Sequence, residues 1–365
     1  MDSLERVRAV VEHRVPDRVP LSYAAEPEVH RRLMRALNLP DIPAVCRYLG
    51  ADVVRVRPQL SESAMRRQAD GDWFDEWGAR KHWVSHAYGG YWEWTDPPLA
   101  EAQSIGETSG HIWPHVDMFD WESFSRELDA REGLVIQGGS FMIFAAYWFL
   151  RGLENALTDP LLNPDLARHL IGKITDFTCT YVEKTLEVAD GRVHFIRTSD
   201  DWGCQTSLLM SAALFRDFYM EPTRQLYGTI RGGGAWVLCH TDGAVAELMD
   251  DLVGLDIDAL DPVQTTCTGM DPVRLKRTYG DRVCFHGAID TRHVLPRGGV
   301  DDVKRETLLR MAQLGQGGGY IATACHNLQA DVPTENILAL YETVREHGGY
   351  PLDLDRELER LGDSS

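Results

Sequence analysis

Trp236-Val237-Leu238-Cys239 and Ile257-Asp258-Ala259-Leu260 read as two short buried strands, with a helical stretch from Ala244 to Leu252 between them. Strand, helix, strand in that order implies parallel strands joined by a crossover helix, because an antiparallel pair could be joined by a tight turn. The unit repeats outward in both directions. Downstream, Val283-Cys284-Phe285-His286 and Tyr320-Ile321-Ala322-Thr323 are predicted strands, and the helical stretches Pro272 to Tyr279 and Val300 to Leu314 precede them. Upstream, the predicted strands are Val193-His194-Phe195-Ile196-Arg197, Leu134-Val135-Ile136-Gln137 and Val53-Val54-Arg55-Val56. Gly138-Gly139-Ser140 and a long helix from about Phe141 to Leu157 follow the second of these. Asp271 before Pro272 has the form of an N-cap with proline at the first helical position. In the last helix, from about Thr334, Ile337, Leu340, Tyr341 and Val344 recur at helical spacing until Gly348-Gly349 ends it. The expected fold class is α/β, a (β/α)8 TIM barrel. A doubly wound parallel sheet would show the same alternation, because periodicity does not report closure.

The chain has 365 residues. Such barrels typically take about 250, so the expectation is one barrel domain over residues 1–365 with an extension. The extension is assigned to Asp72–Trp121, which holds Trp73, Trp77, Trp83, Trp92, Trp94, Trp113 and Trp121 and few helical signals. Trp73-Phe74-Asp75-Glu76-Trp77-Gly78 and Gly89-Gly90-Tyr91-Trp92-Glu93-Trp94 look like hairpin strands of an insertion folded over one end of the barrel. Most of these aromatics are expected to pack the insertion onto the barrel, with one or two at the substrate mouth.

The net charge is 37 − 56 = −19. It argues against nucleic acid and anionic membrane as partners, since both would be repelled. No stretch approaches the roughly 20 apolar residues of a membrane span. Met1-Asp2-Ser3-Leu4-Glu5-Arg6 lacks the apolar run of a signal peptide, so a cytoplasmic location is expected. Seven scattered cysteines with no CxxC pair do not form a disulfide framework.

In a barrel of this kind the chemistry sits at the C-terminal ends of the strands. Five predicted strands in succession end in polar residues: Thr198-Ser199-Asp200-Asp201-Trp202-Gly203, Cys239-His240-Thr241-Asp242-Gly243, Asp261-Pro262-Val263-Gln264, Gly287-Ala288-Ile289-Asp290 and Ala324-Cys325-His326-Asn327. His240, Asp242 and His326 supply three ligands for a catalytic metal with one open position, zinc above all, with Cys325 as a fourth candidate or a substitute for His326. With no metal, His240 and Asp242 could instead bond each other or a substrate. Asp200 and Asp201 are paired acids, candidates for general-base work alongside His240 and His326. Gln264, Asn327 and Trp202 are candidate substrate contacts. Asp290 reads as a loop cap and His286 as a core histidine. Gly232-Gly233-Gly234 and Gly317-Gly318-Gly319 precede strands and read as helix-to-strand turns, not phosphate loops.

The run His240-Thr241-Asp242-Gly243-Ala244-Val245 resembles the histidine-x-cysteine-glycine motif of the corrinoid- and thiol-dependent methyltransferases in the uroporphyrinogen decarboxylase superfamily. His326 through Val332-Pro333-Thr334-Glu335-Asn336 resembles the superfamily's second signature. Glu5-Arg6-Val7 with Pro16-Asp17-Arg18-Val19-Pro20 resembles its opening, and Asp200-Asp201-Trp202-Gly203 and Gly287-Ala288-Ile289-Asp290 resemble further blocks. The resemblance covers nearly the whole chain and is strongest from Asp200 onward. It implies that His240, Asp242 and His326 stand where the methyltransferases hold zinc by a histidine and two cysteines. A set without thiolates would leave the metal more Lewis-acidic, which favours an oxygen substrate such as a methoxy group.

Two departures separate the chain from true uroporphyrinogen decarboxylases. The arginine-rich run that follows their opening is replaced by Leu21-Ser22-Tyr23-Ala24-Ala25-Glu26, and their essential aspartate, expected near Asp52 to Pro58, has no evident equivalent. The expected site is therefore short of cations for a porphyrinogen. The resemblance implies a metal-dependent methyltransferase or O-demethylase acting on a small molecule, with a corrinoid carried by a separate protein as partner and a homodimer as its assembly. A decarboxylase acting on a small carboxylate is the alternative within the superfamily, and a non-catalytic binding protein on the same barrel is the alternative outside enzymes.

Overall fold

In the computed structural model, which describes residues 1–86 and 89–362, eight parallel strands stand side by side in chain order. They are Ser22–Tyr23, Val53–Val56, Val135–Phe141, Phe195–Thr198, Trp236–His240, Ala259–Asp261, Cys284–His286 and Tyr320–Ile321. The first and last meet. Leu21 and Ala322 form a parallel bridge, the Ser22 N–H donates to the Ala322 carbonyl at 3.0 Å, and the Ala322 N–H donates to Pro20 at 2.9 Å. That closure makes the sheet a (β/α)8 barrel and excludes the doubly wound alternative, whose edge strands stay apart.

Strand alternation divides each strand between two cores. Val54, Val56, Ile136, Ile196, Val237, Cys239, Leu260 and Phe285 point outward into the layer beneath the helices. Val53, Val135, Phe195, Leu238, Ala259, Cys284 and Ile321 point inward and form one apolar layer across the lumen. The helix Ser3–Val11 closes the barrel below that layer with Val7, Val10 and Val11. Asp2 and Glu5 cap its start reciprocally. Its Arg6 binds Asp17 and the buried Asp52, each at 2.6 Å. Two residues further along each strand the lumen turns polar: Arg55, Gln137, Arg197, His240, Asp261 and His286 occupy the next inward positions. This polar layer, above an apolar floor, is what the fold offers to chemistry.

Several elements depart from expectation. The helix predicted from Phe141 to Leu157 is two helices, Phe144–Arg151 and Leu153–Leu162, because Gly152 between them has φ 79°, outside the helical region. Gly138-Gly139-Ser140 belongs to the strand Val135–Phe141. The helix expected from Ala244 begins only at Met249, and that expected to Leu314 ends at Arg310 and continues as a π-helical turn, Met311–Gly315.

The tryptophan-rich region folds as a separate four-stranded antiparallel sheet of Arg66–Arg67, Trp73–Phe74, Arg80–His86 and Gly89–Thr95, followed by two short 3-10 turns. Residues 87–88 of the assigned insertion lie outside the described residues. Trp94 stacks on Phe149 with ring centroids 4.2 Å apart, Trp77 meets Phe177 edge-on at 5.2 Å, and Trp121 meets Tyr181 at 5.8 Å. These contacts tie the region to the barrel helices, and none of its tryptophans lines the cavity at the strand ends described below. Among the described residues no helix is long and apolar enough to cross a membrane.

Candidate active site

Asp261 organises the polar layer. Its Oδ2 accepts from His240 Nδ1 at 2.8 Å and Arg197 Nε at 3.0 Å, and its Oδ1 accepts from His286 Nδ1 at 2.7 Å. Burial works to raise its carboxyl, but His286 and His240 hold it well below the usual carboxylate range. The bond from His240 Nδ1 fixes the imidazole tautomer and leaves the Nε2 lone pair free. Burial, helped by Arg197, lowers His240 to about 4, so the ring is neutral at physiological pH.

The free face of His240 looks at two carboxylates. Asp201 Oδ1 lies 3.5 Å from Nε2 and Asp242 Oδ1 lies 4.0 Å from it. Glycines bring these acids together. Gly243 has φ 95°, and a Cβ there would stand 2.5 Å from the Gly203 carbonyl carbon. The loops after Thr198 and His240 can therefore touch backbone to backbone. The Asp242 N–H donates to Asp201 Oδ1 at 2.9 Å, and the Ala244 N–H to the Cys204 carbonyl at 2.7 Å.

Asp201, His240 and Asp242 each offer a donor atom within 4.8 Å of the others, the one such grouping of three found among the described residues. The Asp242 Oδ1 is buried without a hydrogen-bond partner, and burial together with Asp201 raises its carboxyl to about 8. Three electron-rich atoms facing one another repel unless a proton or a cation sits between them. A carboxylate bonded to the far nitrogen of the imidazole, as Asp261 is to His240 Nδ1, is the arrangement that metal-ligating histidines use. The donor set therefore fits a divalent metal ion.

The other expected site residues divide. His326, Gln264 and Asn327 line one cavity of about 230 Å³ with Asp242, Thr291, Arg292, Gln329 and Val332. The size suits a small ligand. His326 opens to solvent at this mouth, yet protein on all other sides lowers its pKa through burial, then Arg197 and Arg55. It stands outside the three-donor group, whose third member is Asp201. Gln264 accepts from the Gly243 N–H at 2.8 Å, and Asn327 donates to Glu26 at 3.1 Å. A larger hollow of about 440 Å³, between the helices Val294–Arg297 and Val300–Arg310, contains none of the strand-end residues.

Three expected residues point elsewhere. Cys325 is buried with its thiol toward the Val263 carbonyl at 3.5 Å, because its neighbour His326 takes the cavity side. Trp202 is buried between Phe144, Phe215 and Tyr219, at ring separations of 4.9–5.3 Å, and contributes packing where a substrate contact was expected. Asp200 accepts from the Ile143 and Ala145 N–H groups at 3.0 Å and so caps the helix Phe144–Arg151; burial nonetheless pushes its carboxyl up to about 7. Asp290 caps its own loop as expected, accepting from the Arg292 and His293 N–H groups. His286 is a buried histidine in a strand, but it belongs to the Asp261 network and its Nε2 has no partner.

Two cations, Arg55 and Arg197, face inward on the strands themselves, where the reading of the strand ends does not reach. The signal was in the strands: in VVRV, VIQG, FIRT, LCH, ALD and CFH a polar residue follows an inward apolar one at a spacing of two.

The family model for uroporphyrinogen decarboxylase (URO-D) matches residues 126–347, more than half of the chain. The chain belongs to the URO-D family. Among curated members, the uroporphyrinogen decarboxylase of Coxiella burnetii is 24% identical over 197 residues, 50% of this chain and 48% of that protein. That of Azoarcus sp. is 24% identical over 241 residues, 61% of this chain and 60% of that protein. The chain thus spans about half the length of the first of these URO-D relatives. The same barrel is found in a methyltransferase from Methanosarcina mazei, with a TM-score of 0.72 at 17% identity over 95% of this chain and 99% of that one.

Proposed function

We propose that this URO-D family enzyme is a metal-dependent methyltransferase of the O-demethylase type, moving a methyl group from a small methylated substrate to a corrinoid on a separate protein. The convergence of His240 Nε2, Asp201 Oδ1 and Asp242 Oδ1 on one point carries the reading. Two carboxylates and an imidazole suit zinc and the other borderline or harder divalent ions. Bound there, the ion would supply Lewis acidity toward the heteroatom that loses its methyl group.

The chain's own residues do the rest. Asp261 keeps the His240 Nε2 lone pair available and pointed at the site. Arg197 balances the Asp261 charge, so that the histidine is oriented without being protonated. His326 and Asn327, at the mouth, bound the space open to a substrate. The methyl group leaves without the bonding pair, which stays on the heteroatom; that atom takes up a proton, and the acceptor supplies the new pair.

A second reading has its own observation. At neutral pH the Asp242 carboxyl, raised to about 8, holds a proton beside His240 when no cation is present. That is the proton donor a decarboxylase needs for the carbanion left after loss of CO2. One experiment separates the two. Purified protein is assayed for bound metal and offered methyl ethers, thioethers and methylamines with free cob(I)alamin, whose absorbance falls on methylation. Stoichiometric metal and metal-dependent loss of that absorbance support methyl transfer. Metal-free protein that releases CO2 from a small acid supports the lyase.

A further inference from the structure

We infer that Arg55 anchors the carboxylate of the substrate, which makes the methyl donor a compact monocarboxylic acid. The inference deepens the methyl-transfer reading and rests on it for the word donor; the anchor itself can be tested by binding alone.

Arg55 lies on the inward face of the strand Val53–Val56, two residues above Val53 of the apolar floor. Its Nε is buried and makes no hydrogen bond, and no ion pair to its guanidinium occurs among the described residues. Gln137 sits beside it in register on the neighbouring strand, and its Nε2 is also buried without a partner. Both orphans are donors. A guanidinium has five N–H groups and no acceptor capacity, so what is missing is an oxygen-rich, negatively charged group.

None of the protein's own anions forms an ion pair with Arg55 among the described residues. Both Asp261 oxygens are taken by Arg197, His240 and His286. Glu26, the other carboxylate whose field reaches Arg55, accepts from Asn327 at 3.1 Å. Arg197 and Arg57 face Arg55 as like charges. Burial, then Arg197, lowers Arg55 to about 9, which still leaves it charged at neutral pH. Arg55 is half-buried and its Nε is sealed from solvent without a partner, so a carboxylate would supply the acceptor that this face of the guanidinium lacks.

The chemistry of the missing group follows from the count. With Arg197 already paired to Asp261, a single guanidinium is left to meet the ligand, which matches a planar monoanion better than a phosphate dianion. A guanidinium edge beside an amide N–H2 presents donors to both oxygens of a planar carboxylate. The position follows as well. Arg55 and His240 hold corresponding inward positions in the polar layer of the barrel, below the strand ends whose residues line the cavity. The strands Val53–Val56 and Trp236–His240 are three spacings apart in the sheet order, at most about 14 Å along the wall. One small molecule can therefore reach both Arg55 and the three-donor group. Arg55 also occupies the stretch where the resemblance leads to an aspartate, so the charge here is the reverse of the one expected.

The test is a thermal-shift and calorimetric titration of the whole protein with acetate, benzoate and phenylacetate, with benzamide as the uncharged analogue and inorganic phosphate as the dianion. At least one carboxylate should raise the melting temperature while benzamide and phosphate do not. Arg55→Met should bind that carboxylate roughly ten- to a hundredfold more weakly. Without ligand it should melt at or above wild type, since it removes a half-buried charge that has no ion-pair partner in the fold. Arg55→Lys should fall between the two in affinity. The inference is overturned if no carboxylate binds, if benzamide or phosphate binds as well, or if Arg55→Met keeps full affinity. It is also overturned if Arg55→Met melts far below wild type or does not fold, because the guanidinium would then be bonded within the fold. None of these readouts depends on turnover, so a failed methyl-transfer assay leaves the anchor standing, and the converse holds.

Discussion

Replacing Asp261 by asparagine should damage stability and metal affinity together. The carboxylate receives three donors, from His240, His286 and Arg197, and is buried. Asparagine offers one acceptor oxygen and turns the other position into a donor. At least one of the three N–H groups then faces another N–H, and Arg197 loses its buried counter-charge. Breaking a buried pair by removing one partner typically costs about 3–5 kcal/mol. For a chain of 365 residues that corresponds to a melting point lower by roughly 4–7 °C. Loss of the carboxylate that accepts from His240 Nδ1 should also weaken metal binding about 10- to 100-fold, because His240 Nε2 is no longer held as the lone-pair face. The assay is urea unfolding followed by circular dichroism, with competitive zinc titration against a chelating dye. Asp217→Asn, which removes an exposed pair with Arg168, serves as a control expected to change stability by less than about 1 kcal/mol. If Asp261→Asn stays within about 1 kcal/mol of wild type and binds zinc unchanged, the proposed role of Asp261 is wrong.

Three further outcomes are expected. Gly243→Ala, which forces a Cβ against Gly203 at positive φ, should separate Asp201 from Asp242 and lower zinc affinity more than it lowers the melting point; equal zinc binding would refute the close-approach reading. Cys204 is the one cysteine that is not buried, and hydrogen bonds from Ser207, then the backbone of Thr206, lower its thiol to about 7; iodoacetamide at pH 8 should modify one site per native chain, at Cys204, with a rate that climbs through pH 7, which peptide mapping by mass spectrometry would check. The Arg6 hydrogen bond holds the Asp17 carboxyl well below its ordinary value. Its contribution to stability is therefore present above the unfolded value near 3.9 and is lost as the pH falls through the lower native value; melting curves should show Asp17→Asn less stable than wild type at pH 7, with the gap closing in acid.

The barrel was legible because its strands are buried on both faces and read as apolar runs between helical periods, as in Trp236-Val237-Leu238-Cys239 and Val53-Val54-Arg55-Val56. Closure was not legible, since it rests on Leu21 meeting Ala322 across the whole chain. The candidate site was half legible. His240 and Asp242 sit on one strand end, where local spacing speaks. Asp201 joins them through a backbone contact between Gly203 and Gly243 that no spacing reports. Asp201 rather than Asp200 faces the group because Asp200 is held by the N–H groups of a helix from another unit. The polar layer above the apolar floor is legible in the strands themselves, and Arg55 within a valine run is its plainest sign.

The most direct measurement is anomalous diffraction from crystals grown or soaked with zinc. A single strong peak at bonding distance from His240 Nε2, Asp201 and Asp242, about 2.0–2.2 Å from each, is the predicted result. A peak held by His326 or Cys325 without Asp201, or full zinc occupancy elsewhere with those three groups bare, would contradict the account.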